Sequence, residues 1–556
     1  MTSTDAGGKA RISRPILPPY RRDPDTKGHR RARRWAVGLL GFFSLFWGLV
    51  FAFLAPALIV ILAAPVIILF LLTLWAMPDT GKPPTGAIDG LFFVYTAVLI
   101  LWPFYISISI PHSGLPWISL TRLIDVPMAI VFLASVATST KLRHEIAAVL
   151  AANRPIAILF IGFTIITTYT LAFSDRPFAT LNKWVDAQIG WTCMFFAACY
   201  IFSKPGRVAR WAAIIWGCAV ITGLIAIWEW RHKHLPWLGH LPDFLQMDPL
   251  MIQEMTPSFR NYTTVYRTQS TFKNALGLGE YMSLATPFIL HFALTPGRRL
   301  VRAAAALTLP LIAFVTIISH SRSGVIGVLI GLALYSLYWG LRRWRHDKQS
   351  LIGPAVIMCY PIAAVGGVIS TFVIGRIRSA VWGGGETTSS TLGRKIQYQM
   401  GIPKVFSNPL GHGIDRAGEI LGFREPSGLL TIDTYYLAIA LNYGIIGFLV
   451  FYAMILYSIY SAGRTAIYAE SKDPEISFLA PASIALAAFF VIKSVYADQN
   501  NHPLFFSVIG MVVALSYRLK TEKLPSAEVA QAGPVQKSAP RRLNIPARQP
   551  PRPYPS

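Results

Sequence analysis

The residues best suited to chemistry are arginines and one aspartate at the edges of apolar runs. Arg322 sits in Ser321-Arg322-Ser323-Gly324, a short polar turn between two such runs. A helix re-entering an apolar phase there can be capped by serine, and its first turn presents free N–H groups at the positive end of the helix dipole. Arginine adds a permanent charge and a planar fork of donors that matches phosphate. The turn therefore predicts an anion site at membrane depth; the alternative is an arginine that snorkels to the interface. The longest polar interruption, Gly375 to Leu437, carries Arg376, Arg394, Arg416 and His412, and residues 231–273 carry Arg231, Lys233, Arg260, Arg267 and Lys273. These groups suit an anionic headgroup, or else are solvated loop charge. Asp433 opens the next apolar run, followed by Tyr436 and Leu437 on its face. It is either a helix cap or a carboxylate able to take a proton from a hydroxyl. Burial would raise its pKa and the arginines would lower it, with the balance left open. His412 and His502 are placed to assist proton transfer or to contact a sugar.

The elements that position these residues follow from composition. Of 556 residues, 53% are apolar and only 14% charged, against about 25% charged in soluble domains. Mean hydropathy is +0.48. The fold class is thus all-α, a polytopic transmembrane helical bundle of about 12–14 spans at roughly 20 residues each. Spans are expected near 35–54, 56–77, 88–110, 123–140, 155–173, 185–203, 211–230, 274–294, 303–319, 322–340, 352–374, 433–460, 479–497 and 501–518. The net charge of +25 concentrates in the tails and in short alternate loops at 141–154, 204–210, 295–302 and 341–351, which is a positive-inside pattern and not a nucleic-acid footprint. Both termini are then cytoplasmic.

The chain divides into a disordered basic tail (1–34), N-terminal spans (35–230), a periplasmic loop (231–273), central spans (274–374), a large periplasmic loop (375–432), C-terminal spans (433–518) and a Pro-rich basic tail (519–556). Gly327 and Gly331 form a GxxxG that favours close helix contact. Cys193, Cys199, Cys218 and Cys359 lie in apolar runs without ligand spacing, so buried packing is expected and no metal or disulfide framework. There is no nucleotide-binding glycine motif, and no cofactor is implied.

Four segments together resemble the O-antigen ligase and O-antigen polymerase (Wzy-type) family. They are Tyr266–Asn274, with Arg267 ahead of Ser270-Thr271-Phe272-Lys273-Asn274; Ser321-Arg322-Ser323-Gly324; Arg394 with Asn408-Pro409-Leu410-Gly411-His412-Gly413; and Asp433-Thr434-Tyr435-Tyr436-Leu437 with Asn442-Tyr443-Gly444-Ile445-Ile446-Gly447. The resemblance covers roughly residues 266–450 and implies a GT-C-like fold. It also implies metal-independent, inverting glycosyl transfer from an undecaprenyl-pyrophosphate-linked oligosaccharide, at the periplasmic face of the bacterial inner membrane. The acceptor would be another glycan or lipid A-core, in the company of membrane lipid and of a chain-length regulator or export partner. By that resemblance Arg267 and Arg322 grip the pyrophosphate, Arg394, Arg376, Arg416, Tyr436, His412 and Asn274 contact phosphate or sugar, and Asp433 is the base. Ala275 stands where Pro follows the Asn, and Asp433 where the family's ligases have His, a swap that favours a polymerase-like exopolysaccharide or capsule protein over a lipid A-core ligase; the resemblance as a whole leaves an exopolysaccharide, O-antigen or capsule polymerase, or a ligase. A flippase for lipid-linked glycans and a non-catalytic assembly subunit are the rival readings.

Overall fold

The computed structural model describes residues 35, 83–103, 105–108, 118–247, 266–375, 378, 388–424 and 430–523. Residues 36–54 and 56–77 of the first two expected spans, the N-terminal tail, the C-terminal tail beyond Lys523 and Arg376 lie outside the described residues, while the last helix runs on to Lys523, past the expected span end at 518. Ten described helices are long and apolar enough to cross a membrane, so the chain is an all-α, multi-pass membrane protein.

In order, the first half contains α1 (Thr85–Leu101), α2 (Leu120–Thr138), α3 (Thr140–Ala152), α4 (Arg154–Tyr169), α5 (Pro177–Ala187), α6 (Met194–Phe202) and α7 (Arg207–His232). The second half contains α8 (Ala275–Leu294), α9 (Arg299–Ile318), α10 (Arg322–His346), α11 (Ile352–Val373), α12 (Thr388–Ser407), α13 (Ala417–Leu421), α14 (Tyr435–Tyr468), α15 (Leu479–Ile492) and α16 (His502–Lys523). A small antiparallel sheet accompanies them, in which β1 (Ile106–Ile108) lies between β2 (Ile118–Ser119) and β3 (Leu245–Met247).

Three local outcomes differ from the hydropathy reading. The span expected over 88–110 ends as a helix at Leu101, because Trp102 turns extended ahead of Pro103, which disfavours helix in the residue before it. The basic segment 141–154 is not a loop but α3. Ser139 caps it by accepting from Leu142 N, and Leu142, Ile146 and Val149 bury one face at helical spacing. Cys359 is exposed while the other three cysteines are buried, since α11 contributes little surface to the core.

The hub is α8, where only Leu276, Phe292 and Leu294 escape burial. Helix α10 runs parallel to it, joined through small residues. A Cβ on Gly279 would lie 2.9 Å from Gly324 Cα, Gly327 abuts Ser283, and Gly331 faces Thr286 and Pro287. The GxxxG of α10 is thus an intramolecular packing face, bringing two backbones close enough for Ser283 Oγ to donate to Gly324 O at 3.1 Å. This parallel pairing places the N-termini of α8 and α10 at one end of the bundle. At the opposite end Arg518 pairs with Glu475 at 2.7 Å, and Glu475 accepts from Gly206 N and Ala209 N at 2.8 Å each, stabilising the start of α7.

Candidate functional site at the shared helix N-termini

Arg322 is the first residue of α10. Ser321 has extended backbone and its hydroxyl accepts from Gly324 N at 3.2 Å, so the cap is made as the serine-flanked turn requires. His320, with φ of 49°, reverses the chain between α9 and α10. The half-buried Arg322 therefore stands beside a helix N-terminus, an arrangement that favours an anion.

Arg267 is positioned by a residue the sequence reading passed over. Glu229, fully buried near the end of α7, accepts from Tyr266 Oη at 2.9 Å, from Gln269 N at 3.1 Å and from Ser270 N at 2.7 Å. These donors bracket Arg267 on both sides. Ser270, at φ 55°, adds a bond to Thr222 O, and Thr271 Oγ1 donates to Ile100 O at 2.7 Å. The segment is thus tied to α7 and α1 before Asn274 starts α8. Asn274 itself caps that helix, its Oδ1 accepting from Gly277 N at 3.0 Å. Ala275 occupies the first helical position, where Pro is also well accommodated.

A buried ion pair joins α8 to the third element. Glu280, in the second turn of α8, pairs with Lys493 Nζ at 2.8 Å, and both side chains are 1% exposed. Asn501 donates to Glu280 at 2.8 Å and to Gly277 O at 3.2 Å. Lys493 lies against the rings of Tyr435, Phe489 and Tyr496, and its carbonyl accepts from Tyr435 N at 3.0 Å. That last bond brings the start of α14, and hence Asp433, to the end of the bundle that holds Arg322 and the 266–274 segment. Neither Glu280 nor Lys493 was a sequence candidate. Each interrupts an apolar run, which was the available signal.

Asp433 is not the helix cap. Thr434 is, its Oγ1 accepting from Leu437 N at 3.3 Å, and α14 begins at Tyr435. The backbone N of Asp433 donates to Gln397 Oε1 of α12 at 2.9 Å. Its carboxyl is half-buried, and that burial raises its pKa from its ordinary value, against the opposing pull of Arg394 and Gln397. The competition left open by the sequence is decided for desolvation. Arg394 is half-buried on α12, with its Nε buried and without a hydrogen-bond partner among the described residues. Among the described residues no group of three or more His, Cys, Asp or Glu side chains converges as a metal site.

Residues 307–452 match the family model described as O-antigen ligase. This chain carries an O-antigen ligase family domain. No curated protein matches the chain. The matched region runs from α9 through the first half of α14, so it takes in Arg322, Arg394 and Asp433, whereas Arg267, Glu229, Glu280 and Lys493 come from outside it.

Inside the O-antigen ligase domain two of the sequence motifs are bound to each other. Helix α14 breaks at Gly444, with φ 70° and ψ −174°, a conformation essentially restricted to glycine. The turn Asn408–Gly413 docks into the break. Ile445 N donates to Pro409 O at 3.0 Å, Gly413 N donates to Asn442 O at 2.9 Å, and His412 N donates to Leu441 O at 3.0 Å. Asn442 Oδ1 accepts from Arg416 N and Ala417 N at 3.1 and 2.8 Å. This clasp orients the first turns of α14, and so Asp433. A Cβ on Gly444 would collide with Pro409 O and lie 2.7 Å from Leu410 C. Gly444→Ala is therefore expected to lower stability by about 1–3 kcal/mol from backbone strain alone, with the collision in addition, read as a lowered Tm of the detergent-solubilised protein.

The remaining candidates are engaged with other parts of the protein itself. His412 Nδ1 lies 3.0 Å from Leu441 O, within the clasp. The guanidinium of Arg416 is buried and pairs with Asp175 at 2.8 Å and with Glu419. Tyr436 Oη donates to Phe490 O at 2.8 Å. His502, also suggested for proton transfer, is fully buried and shares a 2.7 Å hydrogen bond with Tyr435 Oη. These contacts hold in place the side chains for which the sequence suggested substrate contact or proton transfer.

Proposed function

We propose that this protein transfers a glycan from an undecaprenyl-pyrophosphate carrier to an acceptor hydroxyl, with inversion and without a metal. The reaction takes place at the periplasmic face of the bacterial inner membrane, with both termini cytoplasmic. The observation that carries this reading is the gathering of three helix N-termini at one end of the bundle: α10 with Arg322, α8 preceded by Arg267, and α14 preceded by Asp433. Arg322 and Arg267 hold the diphosphate and stabilise the charge that develops as it leaves. Arg394 adds a phosphate or sugar contact. Asp433 accepts the proton of the acceptor hydroxyl as the new glycosidic bond forms.

An aspartate held above its ordinary range is a better base near neutrality than an unperturbed one. That fits a polymerase acting on lipid-linked repeats more closely than a ligase to lipid A-core. The flippase reading expects ionisable groups at span midpoints. The buried Glu280–Lys493 pair lies instead near one end of the bundle.

Two measurements test the proposal. Deleting the gene should leave single repeat units in place of long chains; intact polymer stranded on the carrier would instead mean ligation. With purified protein, Asp433→Asn should abolish product and Asp433→His should retain a fraction of it. Because folding raises the Asp433 pKa, the active carboxylate is lost as pH falls through that raised value. The acid limb of the rate profile should therefore lie above the ordinary aspartate value of about 3.9. Arg394→Gln removes the cation that opposes the shift and should move the limb further up. A silent Asp433→Asn, or a limb unmoved by Arg394→Gln, contradicts the assignment of Asp433 as base.

A further inference from the structure

A polar cavity of about 310 Å³ lies between the end of α1, the start of α2, the 271–272 turn and the 500–501 turn. It is at the same end of the bundle as Arg322 and Asp433, and none of Arg267, Arg322, Arg394 and Asp433 lines it. Its volume is at the lower end of the range for small-molecule sites, about 300–1,000 Å³, and suits a unit of one sugar ring.

The lining has a definite chemistry. Trp102 contributes an indole whose Nε1 donates to Ile106 O at 3.0 Å, which fixes the plane of the ring. Phe272 adds a second aromatic wall. Two carboxylates, Asp125 and Asp186, share the cavity with one cation, Arg122. Arg122 is taken up by Asp186 at 2.8 Å, with both side chains about half exposed at the rim. Asp125 is compensated only in part, by the charge of Arg122 and the Val126 backbone N–H, and its Oδ1 is buried with no hydrogen-bond partner among the described residues. Amides line the opposite wall at Asn500 and Asn501, and the Asn501 amide is fixed by Glu280 and Gly277 O.

An apolar ring face beside strong acceptors suits a saccharide, whose C–H face stacks on an aromatic ring while its hydroxyls donate to carboxylates. The excess of carboxylate over guanidinium excludes an anionic sugar. We propose that this cavity binds a neutral or amino-bearing sugar of the acceptor and discriminates against uronic acids, with Asp125 as the determinant. The wall is continuous with the transfer site. Asn501 bonds Glu280, Glu280 pairs with Lys493, and the Lys493 carbonyl holds Tyr435 N beside Asp433. Naming the occupant as acceptor rests on the transfer reading; the preference for neutral sugars does not.

The test uses the full chain in lipid nanodiscs and three probes: methyl glucoside, methyl glucosaminide and methyl glucuronide, with binding read by saturation-transfer NMR. The wild-type protein should bind the first two and not the third. Asp125→Ala should weaken glucoside binding about tenfold, the loss expected for hydrogen bonds to a charged acceptor. Asp125→Asn, which keeps the shape and removes the charge, should admit the glucuronide, a change that a merely structural role would not produce. Glucuronide bound by the wild type as tightly as glucoside, or glucoside binding unaltered in Asp125→Ala, overturns the proposal. No lipid-linked donor is present, so a failure here is separate from a failure of the transfer reading. Normal product from Arg322→Ala would sink the latter and leave the cavity assignment standing.

Discussion

Product formation by the Arg322→Ala protein is expected to fall about 10²–10³-fold, the usual cost of removing one preorganised donor from a developing negative charge, while the protein still inserts and accumulates. The expectation combines three features. Ser321 makes the cap of α10, so the helix and its dipole survive the substitution. The neighbouring Gly324 and Gly327 make close backbone contacts to α8, and the substitution leaves these in place. The lost term is then the attraction between guanidinium and diphosphate, about 4 kcal/mol for unit charges near 4 Å at a protein-surface dielectric. Arg267→Ala should act in the same direction. If both arginines grip one leaving group, the double variant should fall well short of the product of the two single losses. The assay is transfer from a purified lipid-linked oligosaccharide, scaled to protein quantified in the membrane. Full activity in both single variants would end the proposal that they hold the diphosphate.

Lys493→Ala should have its effect on the fold. Its ammonium is buried with Glu280 at 2.8 Å, and removing one member of a buried pair costs about 3–5 kcal/mol because the other charge is left uncompensated. That is comparable to the total stability of many domains, about 5–15 kcal/mol, so the variant should accumulate poorly and lose most of its thermal stability in detergent. Replacing both partners, Glu280→Leu with Lys493→Met, removes the stranded charge and should recover much of that loss. The double variant then separates stability from geometry. Tyr435 N bonds the Lys493 carbonyl, which any side chain preserves, so α14 should still start at the same place. A double variant no more stable than Lys493→Ala would show that the pair is not what limits folding.

The two expectations differ in how far the sequence foretold them. Arg322 could be found because a basic residue between serines at a break in hydropathy has few structural explanations. The same logic located the start of α14 to within two residues, yet it offered Asp433 as a cap, and the structure gives that role to Thr434. A cap is decided by which backbone turns first, and adjacent Asp and Thr are nearly equivalent in propensity. Glu280 and Lys493 stand far apart in the chain, and each alone looks like an isolated charge in an apolar run. Glu229 was equally unreadable, because its partners are the Tyr266 hydroxyl and two backbone N–H groups of a segment dozens of residues later. His412 and Arg416 carried the right chemistry for substrate, and only the tertiary structure shows the bond of His412 Nδ1 to Leu441 O and the pairing of Arg416 with Asp175 and Glu419.

The sequence by itself determined that the chain is a stack of apolar helices, where most of them begin and end, and which charged residues border them. Those properties are local, since hydropathy and helix caps act over a few residues. The tertiary structure decided which helix ends meet, which charges neutralise one another and which carboxylate keeps an elevated pKa. These outcomes depend on long-range juxtaposition, above all the close glycine-mediated approach of α10 to α8 and the bond from Lys493 to the start of α14. Desolvation and pairing are set by neighbours in space, and no window along the chain contains them.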